Sequence, residues 1–266
     1  METEIVKHTS RIKVAFIVLI IIISASVLYY AIMSVMSTGH KLAELKNEFG
    51  IKADENTKVD ERITTDSTYL KLLKEKAFLQ SRTLMAESDS IYLTVNLEDS
   101  TSNIEINGVV VHKAKISSFQ VSKIFMKGDE NLILSMLSTP FSIAGSRATI
   151  KREPVMIKMA PNDTSEYKPD IMPDTSFIEP VNYKLEMTNG TMIYVYQEEK
   201  NKPGDKMSCF KFDFMDRLRE AKHSLKSVAV FKVPEYHLFI KIRIPRSDAK
   251  IIYRALPKNG QIGIYI

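Results

Sequence analysis

Two cationic residues alternate with isoleucines near the C-terminus, in the segment Lys241-Ile242-Arg243-Ile244. The apolar character of residues 237–244 predicts a β-strand that carries both cations. The guanidinium of Arg243 matches the geometry of a carboxylate and can bind one through two parallel hydrogen bonds, with Lys241 as a second charge. The alternative is that Arg243 forms an ion pair within its own domain. Lys241 and Arg243 are therefore candidate anion-binding residues.

The single cysteine, Cys209, is the one thiol that could act as a nucleophile. It lies at the predicted start of a helix, where the helix dipole favours a thiolate. A lone cysteine with apolar neighbours is more often a small core residue, and we expect that here. A single thiol also excludes an intramolecular disulfide and a four-cysteine metal site.

Metal, nucleotide and nucleic-acid chemistry find no support in the sequence. The histidines show neither i, i+4 pairing nor an HExxH motif, so we expect no metal site and no cofactor. There is no glycine-rich phosphate loop, and the basic clusters lack the interleaved aromatics of single-strand binders. The net charge of +5 favours anionic surfaces such as phospholipid or cell-wall polymer.

The two ends of the predicted β-domain resemble the L,D-transpeptidase catalytic domain. That family ends in Ser-His-Gly-Cys-Ile-Arg-Leu-Pro, two variable residues, Asp-Ala, a short helix ending in Tyr and a last apolar strand. The residues that match this pattern are Ile242, Arg243, Pro245, Asp248, Ala249 and Tyr253, followed by the closing run 262–266. The start of the domain, an alternating strand from Ile91 and a glycine turn at Asn107-Gly108, is similar to the family's start.

The resemblance implies a scaffold from which the chemistry has been lost. In this register the family's Ser, His, Gly and Cys fall on Leu238, Phe239, Ile240 and Lys241. Phe239 cannot accept a proton, and Lys241 is not an acyl-accepting thiol. The family's upstream histidine corresponds in spacing to His223, which lacks the sequence context usual for that residue. The expected catalytic set is therefore empty, and Arg243, Lys241 and His223 remain as binding candidates.

Residues 14–36 form an almost unbroken apolar run without charge. As a helix, these 23 residues rise about 34 Å, enough for a hydrocarbon core of about 30 Å. Lys7, Arg11 and Lys13 precede the run, so the positive-inside rule places residues 1–13 in the cytoplasm and the remainder outside. The alternative is a cleavable signal peptide, since residues 24–26 are small. The run continues well beyond them, which favours an uncleaved anchor.

The rest of the chain predicts a helical stalk at 37–88 and a mainly β domain at 89–266. The stalk contains a short helix that Gly50 ends, an irregular segment at 51–64 and a helix capped at 65–67. The domain is expected to be a mixed β-sandwich or barrel with two or three helices, one of them at 210–225. Two Asn-Gly hairpins are predicted, at 107–108 and 189–190. Further predicted strands lie at 131–136, 149–159 and 228–232, a long exposed loop or lid lies at 160–181, and Ser247 is expected to cap a last short helix.

Three functions are consistent with these features. The first is a membrane-anchored, catalytically inactive L,D-transpeptidase-like protein of a bacterial envelope, which binds peptidoglycan or an envelope partner as a scaffold. The second is an active transpeptidase or hydrolase of wall peptides with displaced catalytic residues. The third is a single-span subunit of a secretion or division assembly. All three place the domain in the periplasm or another extracytoplasmic space, with the lipid bilayer contacted by residues 14–36; the oligomeric state stays open.

Overall fold

The computed structural model describes residues 2–50, 67–152, 179–199 and 203–266, with side chains of the first helix described from Phe16 onward. Its helices are α1 (Glu2–Phe49), α2 (Ser67–Ala86), α3 (Lys123–Lys127), α4 (Glu130–Leu137), α5 (Pro203–Ala229) and α6 (Arg246–Ala255). Its strands are β1 (Tyr92–Asn96), β2 (Thr101–Ile106), β3 (Val109–Lys115), β4 (Ser118–Val121), β5 (Phe141–Ala148), β6 (Asn182–Met187), β7 (Met192–Gln197), β8 (Phe239–Ile244) and β9 (Gln261–Tyr265). The irregular segment predicted at 51–64, and the predicted loop at 160–181 except its last three residues, lie outside the described residues.

The fold is a large mixed sheet accompanied by extensive helix. About half of the described residues are helical, so the prediction of a mainly β protein is correct only for the sheet. Helices α1 and α5 together account for most of this excess, with 48 and 27 residues. The predicted α5 at 210–225 falls within the observed helix, which begins earlier and ends later.

Helix α1 is continuous from Glu2 to Phe49 and does not break between the predicted membrane segment and the predicted stalk. Within the described part of the chain, α1 is the helix that is long enough and apolar enough to cross a membrane. Its apolar residues from Phe16 to Ile23 are exposed, each more than 45%. The helix ends where Gly50 was expected to end it. The N-terminal segment therefore has the length and surface of a membrane span that continues beyond its apolar part.

The chain divides into two compact units. The first contains residues 1–48 and 215–236, and the second contains residues 49–214 and 237–266. In the first unit the Ser37 hydroxyl donates a hydrogen bond of 2.6 Å to the Pro234 carbonyl. The second unit contains the sheet. The boundaries predicted at residues 36 and 88 stay predictions.

The sheet has the strand order β3-β2-β1-β9-β5-β6-β7-β8-β4. Strand β9 lies parallel to β1 and antiparallel to β5, and β8 lies parallel to β7 and antiparallel to β4. The last strand of the chain therefore lies in the middle of the sheet. It joins the three strands formed by the start of the domain to the five on its other side.

Both predicted Asn-Gly hairpins are present, but their turns differ. Asn107 and Gly108 have φ values of 49° and 80°, as a type I′ turn requires. At the second hairpin only Gly190 has a positive φ, of 78°. The Gly190 amide donates to the Met187 carbonyl, which makes a longer loop with glycine at its last position.

Two predicted strands are wrong, and a third lies mostly outside the described residues. Residues 131–136 lie in α4, because the side chain of Asp129 accepts a hydrogen bond from the Asn131 amide and caps a helix there. Residues 228–232 form the end of α5 and a turn instead of a strand. The strand predicted at 149–159 is displaced: β5 ends at Ala148, and most of the predicted range lies outside the described residues.

A buried carboxylate fixes α2 on the first strands of the sheet. Glu105 is 1% exposed, and its carboxylate accepts hydrogen bonds from Arg82 Nε at 2.7 Å, Thr94 Oγ1 at 2.7 Å and Tyr92 Oη at 3.1 Å. The Gly108 amide donates to the same tyrosine oxygen. Since three donors replace the water that this carboxylate loses, the charge is tolerated inside the domain.

Gly263 of β9 allows α2 to approach the centre of the sheet. A Cβ atom at this position would lie 2.6 Å from Met85 Cε and 3.4 Å from Ser81 Oγ, and both side chains are fully buried. Any larger residue must therefore displace the end of the Met85 side chain, which is packed inside the core.

We predict that Gly263→Val lowers the free energy of unfolding by about 1–3 kcal/mol through overpacking. The matched control is Gly204→Val, where an added Cβ meets nothing within 4 Å and the change should stay within about 0.5 kcal/mol. Denaturant unfolding of the full chain in detergent micelles measures both. Equal effects at the two glycines would contradict the close contact.

Candidate functional site

Strand β8 separates the core from a polar face by simple alternation. Ile240, Ile242 and Ile244 are at most 1% exposed and point into the core. Phe239, Lys241 and Arg243 occupy the alternate positions and are half-buried. The strand therefore presents one aromatic ring and two cations on its second face.

The neighbouring strand β7 places two tyrosines beside these cations. Tyr194 is paired with Lys241, and Tyr196 with Arg243. The Lys241 ammonium lies 5.0 Å from the centroid of the Tyr194 ring, and the Arg243 guanidinium lies 5.4 Å from that of Tyr196. The two tyrosine rings are parallel to within 4°. These distances are typical of cation–π contacts, which hold the cations without neutralising their charge.

A third strand adds a buried lysine to the same face. Lys184 of β6 is paired with Tyr194, is fully buried, and places its ammonium 5.6 Å from the same ring. It also lies 3.3 Å from a carboxylate oxygen of Glu186, which Arg147 of β5 contacts as well. We call the set Lys184, Tyr194, Tyr196, Phe239, Lys241 and Arg243 the cation–tyrosine face.

Within the described part of the chain, one nitrogen of the Arg243 guanidinium has no hydrogen-bond acceptor. Its Nη1 atom is buried and has no hydrogen-bond partner there. A buried guanidinium nitrogen without an acceptor is costly, and a carboxylate or similar anion would supply one. The observed partner of Arg243 is an aromatic ring, so the intradomain ion pair considered from the sequence is not found among the described contacts.

The first part of α5 closes the Tyr196 end of this face. The Tyr196 hydroxyl donates a hydrogen bond of 2.6 Å to Asp213, and the Phe212 ring meets the tyrosine edge-on at 6.3 Å. Burial, followed by the hydrogen bond to Asp213, raises the pKa of Tyr196 well above its usual range, and the nearby Cys209 contributes in the same direction. Tyr196 therefore stays protonated at one end of the face.

The structure brings only some of the predicted site residues together. Phe239, Lys241 and Arg243 share the cation–tyrosine face, whereas Leu238 and Ile240 are buried in the core and reach no surface. His223 lies exposed on the part of α5 that belongs to the first unit, while Lys241 and Arg243 belong to the second. The four positions that align with the L,D-transpeptidase motif therefore divide between core and site.

Arg246 proves to be structural. Its Nη2 atom donates to buried Asp205 at 2.8 Å, and its Nε atom donates to Gln197 at 3.1 Å. The Arg246 amide donates to both carboxylate oxygens of Glu199. The predicted cap by Ser247 is therefore wrong: Pro245 occupies the N-cap position without a side-chain hydrogen bond, and Glu199 from the end of β7 supplies the negative charge at the helix start.

Sequence analysis missed Lys184, Tyr194 and Tyr196 as members of the site. The signal was present, because Tyr194 and Tyr196 alternate along a strand next to the Asn189-Gly190 turn. Its meaning depended on the parallel pairing of β7 with β8, which joins segments separated by the whole of α5. No pattern within one short segment predicts a pairing between strands that lie this far apart in the sequence.

No family model, curated protein or solved structure matches the chain. The assignment of function therefore rests on the site: a face of cations held against tyrosines, suited to binding an anion.

We predict that Tyr196 does not ionise while the protein is folded. Because its folded-state pKa exceeds the unfolded value of about 10, its contribution to stability is complete below pH 10 and is lost as the pH rises further. In an alkaline titration followed by tyrosinate absorbance, Tyr196→Phe should leave the curve of the folded protein unchanged. Loss of one tyrosinate from that curve before unfolding would contradict the assignment.

We also predict that Arg246→Ala lowers the free energy of unfolding by about 2–3 kcal/mol, since Asp205 loses a charged donor in a buried place. The control is Arg147→Ala, which removes a more exposed ion pair with Glu186 and should cost less than about 1 kcal/mol. Thermal unfolding of the two variants in parallel gives the comparison. A smaller loss at Arg246 than at Arg147 would refute the structural role.

Proposed function

We propose that the protein is a membrane-anchored binding protein of the bacterial envelope that holds anionic wall peptides without cleaving or cross-linking them. In this proposal α1 spans the cytoplasmic membrane with residues 14–36, the N-terminus is cytoplasmic and the sheet domain is extracytoplasmic. The peptide stems of peptidoglycan carry the carboxylates that Lys241 and Arg243 would bind. The domain is an L,D-transpeptidase-like fold that no longer performs the family's reaction.

One observation carries the proposal: buried Arg243 Nη1 has no acceptor among the described residues, beside Lys241. Among the described residues, Lys241 and Arg243 lie against rings and no carboxylate is recorded with either, so an incoming anion need not displace a described partner of Arg243. The absence of a thiol, hydroxyl or imidazole at positions 238–241 supports binding over catalysis.

A second candidate function is catalysis with a displaced nucleophile. It is favoured by the position of Cys209 on α5, one helical turn before Asp213, which accepts the hydrogen bond from Tyr196. A nucleophilic thiol needs a base and oxyanion donors. The Tyr196 hydroxyl donates to Asp213 and stays protonated, so it is not available as that base.

We predict that purified full-length protein in detergent micelles pellets with peptidoglycan sacculi. The double variant Lys241→Ala/Arg243→Ala should bind about tenfold more weakly, because two charged contacts are lost. The matched control is Lys113→Ala/Lys115→Ala, which removes two exposed cations with the same spacing on β3 and should bind like the wild type. Equal loss in both double variants would reduce the interaction to net charge.

The same incubation separates the alternatives. New cross-links or released peptides that disappear in Cys209→Ala would replace the binding proposal with an enzyme. Absence of both binding and turnover would favour the subunit of an envelope assembly, whose partner would be sought by cross-linking in membranes.

A further inference from the structure

The C-terminal end of α5 forms an exposed apolar tip, Val230-Phe231. The Lys232 amide donates to the Ser227 carbonyl and the Phe231 amide donates to the Val228 carbonyl, the two bonds of a Schellman motif. Phe231 occupies the left-handed position of this motif with φ of 58°. Glycine is the usual residue there, since a side chain disfavours this conformation.

Phe231 is not buried by the described residues to compensate for this conformation. It is 81% exposed, and Val230 is 60% exposed. The ring contact recorded for Phe231 is with Tyr29 of α1, edge-on, with a centroid distance of 6.1 Å. A bulky aromatic residue in a disfavoured conformation, held outward at a helix end, indicates a role for the exposed ring itself.

The contacts of the first unit fix the level of the tip along α1. Phe231 meets Tyr29, and Pro234 meets Ser37, the first residue after the apolar run 14–36. Eight residues of α-helix separate these two contacts, a rise of about 12 Å. The three residue steps from 231 to 234 can cover about 10 Å, which is close to that rise. The tip therefore lies beside the apolar part of α1, about two helical turns below its polar end.

Cations flank the tip on both sides. Lys226 lies on the last turns of α5 and Lys232 follows Phe231, and both are exposed. Lysine side chains beside a bilayer extend toward the phosphate level while their stems stay in apolar surroundings. An apolar tip with lysines around it fits the outer leaflet, where the apolar side chains contact acyl chains and the lysines can extend to anionic headgroups.

We infer that Val230 and Phe231 insert among the acyl chains of the outer leaflet beside α1, with Lys226 and Lys232 extending toward the lipid phosphates. The inference rests on the proposed membrane anchoring of α1 and adds a second lipid contact to it. This contact would hold the α5 segment of the first unit at a fixed depth. Two apolar residues between lysines offer a second protein chain little surface to bury, whereas a lipid surface needs no matching shape.

The chain contains no tryptophan, so a single substitution creates a unique fluorescent probe. The experiment uses full-length Phe231→Trp reconstituted in vesicles of phosphatidylcholine and phosphatidylglycerol. Bromine-labelled phosphatidylcholine at different acyl positions quenches tryptophan according to depth. Two matched variants are Ile21→Trp, within the apolar run of α1, and Phe119→Trp, on the exposed edge strand β4 of the second unit.

We expect quenching of Phe231→Trp to exceed that of Phe119→Trp several-fold, with a stronger effect from bromines on the acyl chain than from bromines near the headgroup. Quenching of Ile21→Trp but not of Phe231→Trp would overturn the inference and leave the anchor intact. A blue-shifted Phe231→Trp spectrum without quenching would also overturn it, in favour of a protein neighbour. Absence of quenching in all three variants would overturn the membrane proposal itself.

Discussion

The pairing of β9 between β1 and β5 is the constraint on which the sheet depends. Ile262 is paired with Leu93 on one side and with Phe141 on the other, and all three are buried. Without this strand, the three strands that begin the domain would have no hydrogen-bonded connection to the other five. Because β9 comes last in the chain, the sheet closes only when nearly the whole domain is present, a long-range closure that carries a large entropic cost before its contacts form. Gly263 then brings α2 onto the same strand.

The cation–tyrosine face follows from the other parallel pairing, of β7 with β8. Successive side chains of a strand point to opposite faces, so when the isoleucines of β8 are buried in the core, Lys241 and Arg243 lie on the other face. The pairing of β7 with β8 places Tyr194 and Tyr196 beside them. The core thus orients the site: a one-residue slip would bury the cations and expose the isoleucines. The rings give the cations contacts that preserve their charge, a suitable state for binding an anion.

Local signals predicted much of this fold. Asn107-Gly108, the apolar run 14–36 and the alternation of β8 each depend on a few neighbouring residues, and each is found where the sequence indicates it.

The predictions that failed share a physical cause. Residues 131–136 are apolar enough for a buried strand or a buried helix, and the choice depends on the cap that Asp129 provides. The start of α6 depends on Glu199, 47 residues from Arg246 in sequence. Pairings and caps of this kind are decided by tertiary contacts that periodicity does not encode.

The residues that resemble the L,D-transpeptidase pattern can be explained by structural roles alone. Ile242 and Ala249 are buried in the core, and Pro245 stands at the N-cap of α6. Asp248 lies in the first turn of that helix, where a negative charge is favoured, and within 3.3 Å of His112 on β3. These residues are therefore explained by the connection of β8 to α6, with or without a relation to that family. Leu238 and Ile240, at two of the positions aligned with its reactive residues, are buried in the core. Under the binding proposal, the fold-forming part of the pattern is needed and its reactive part is not.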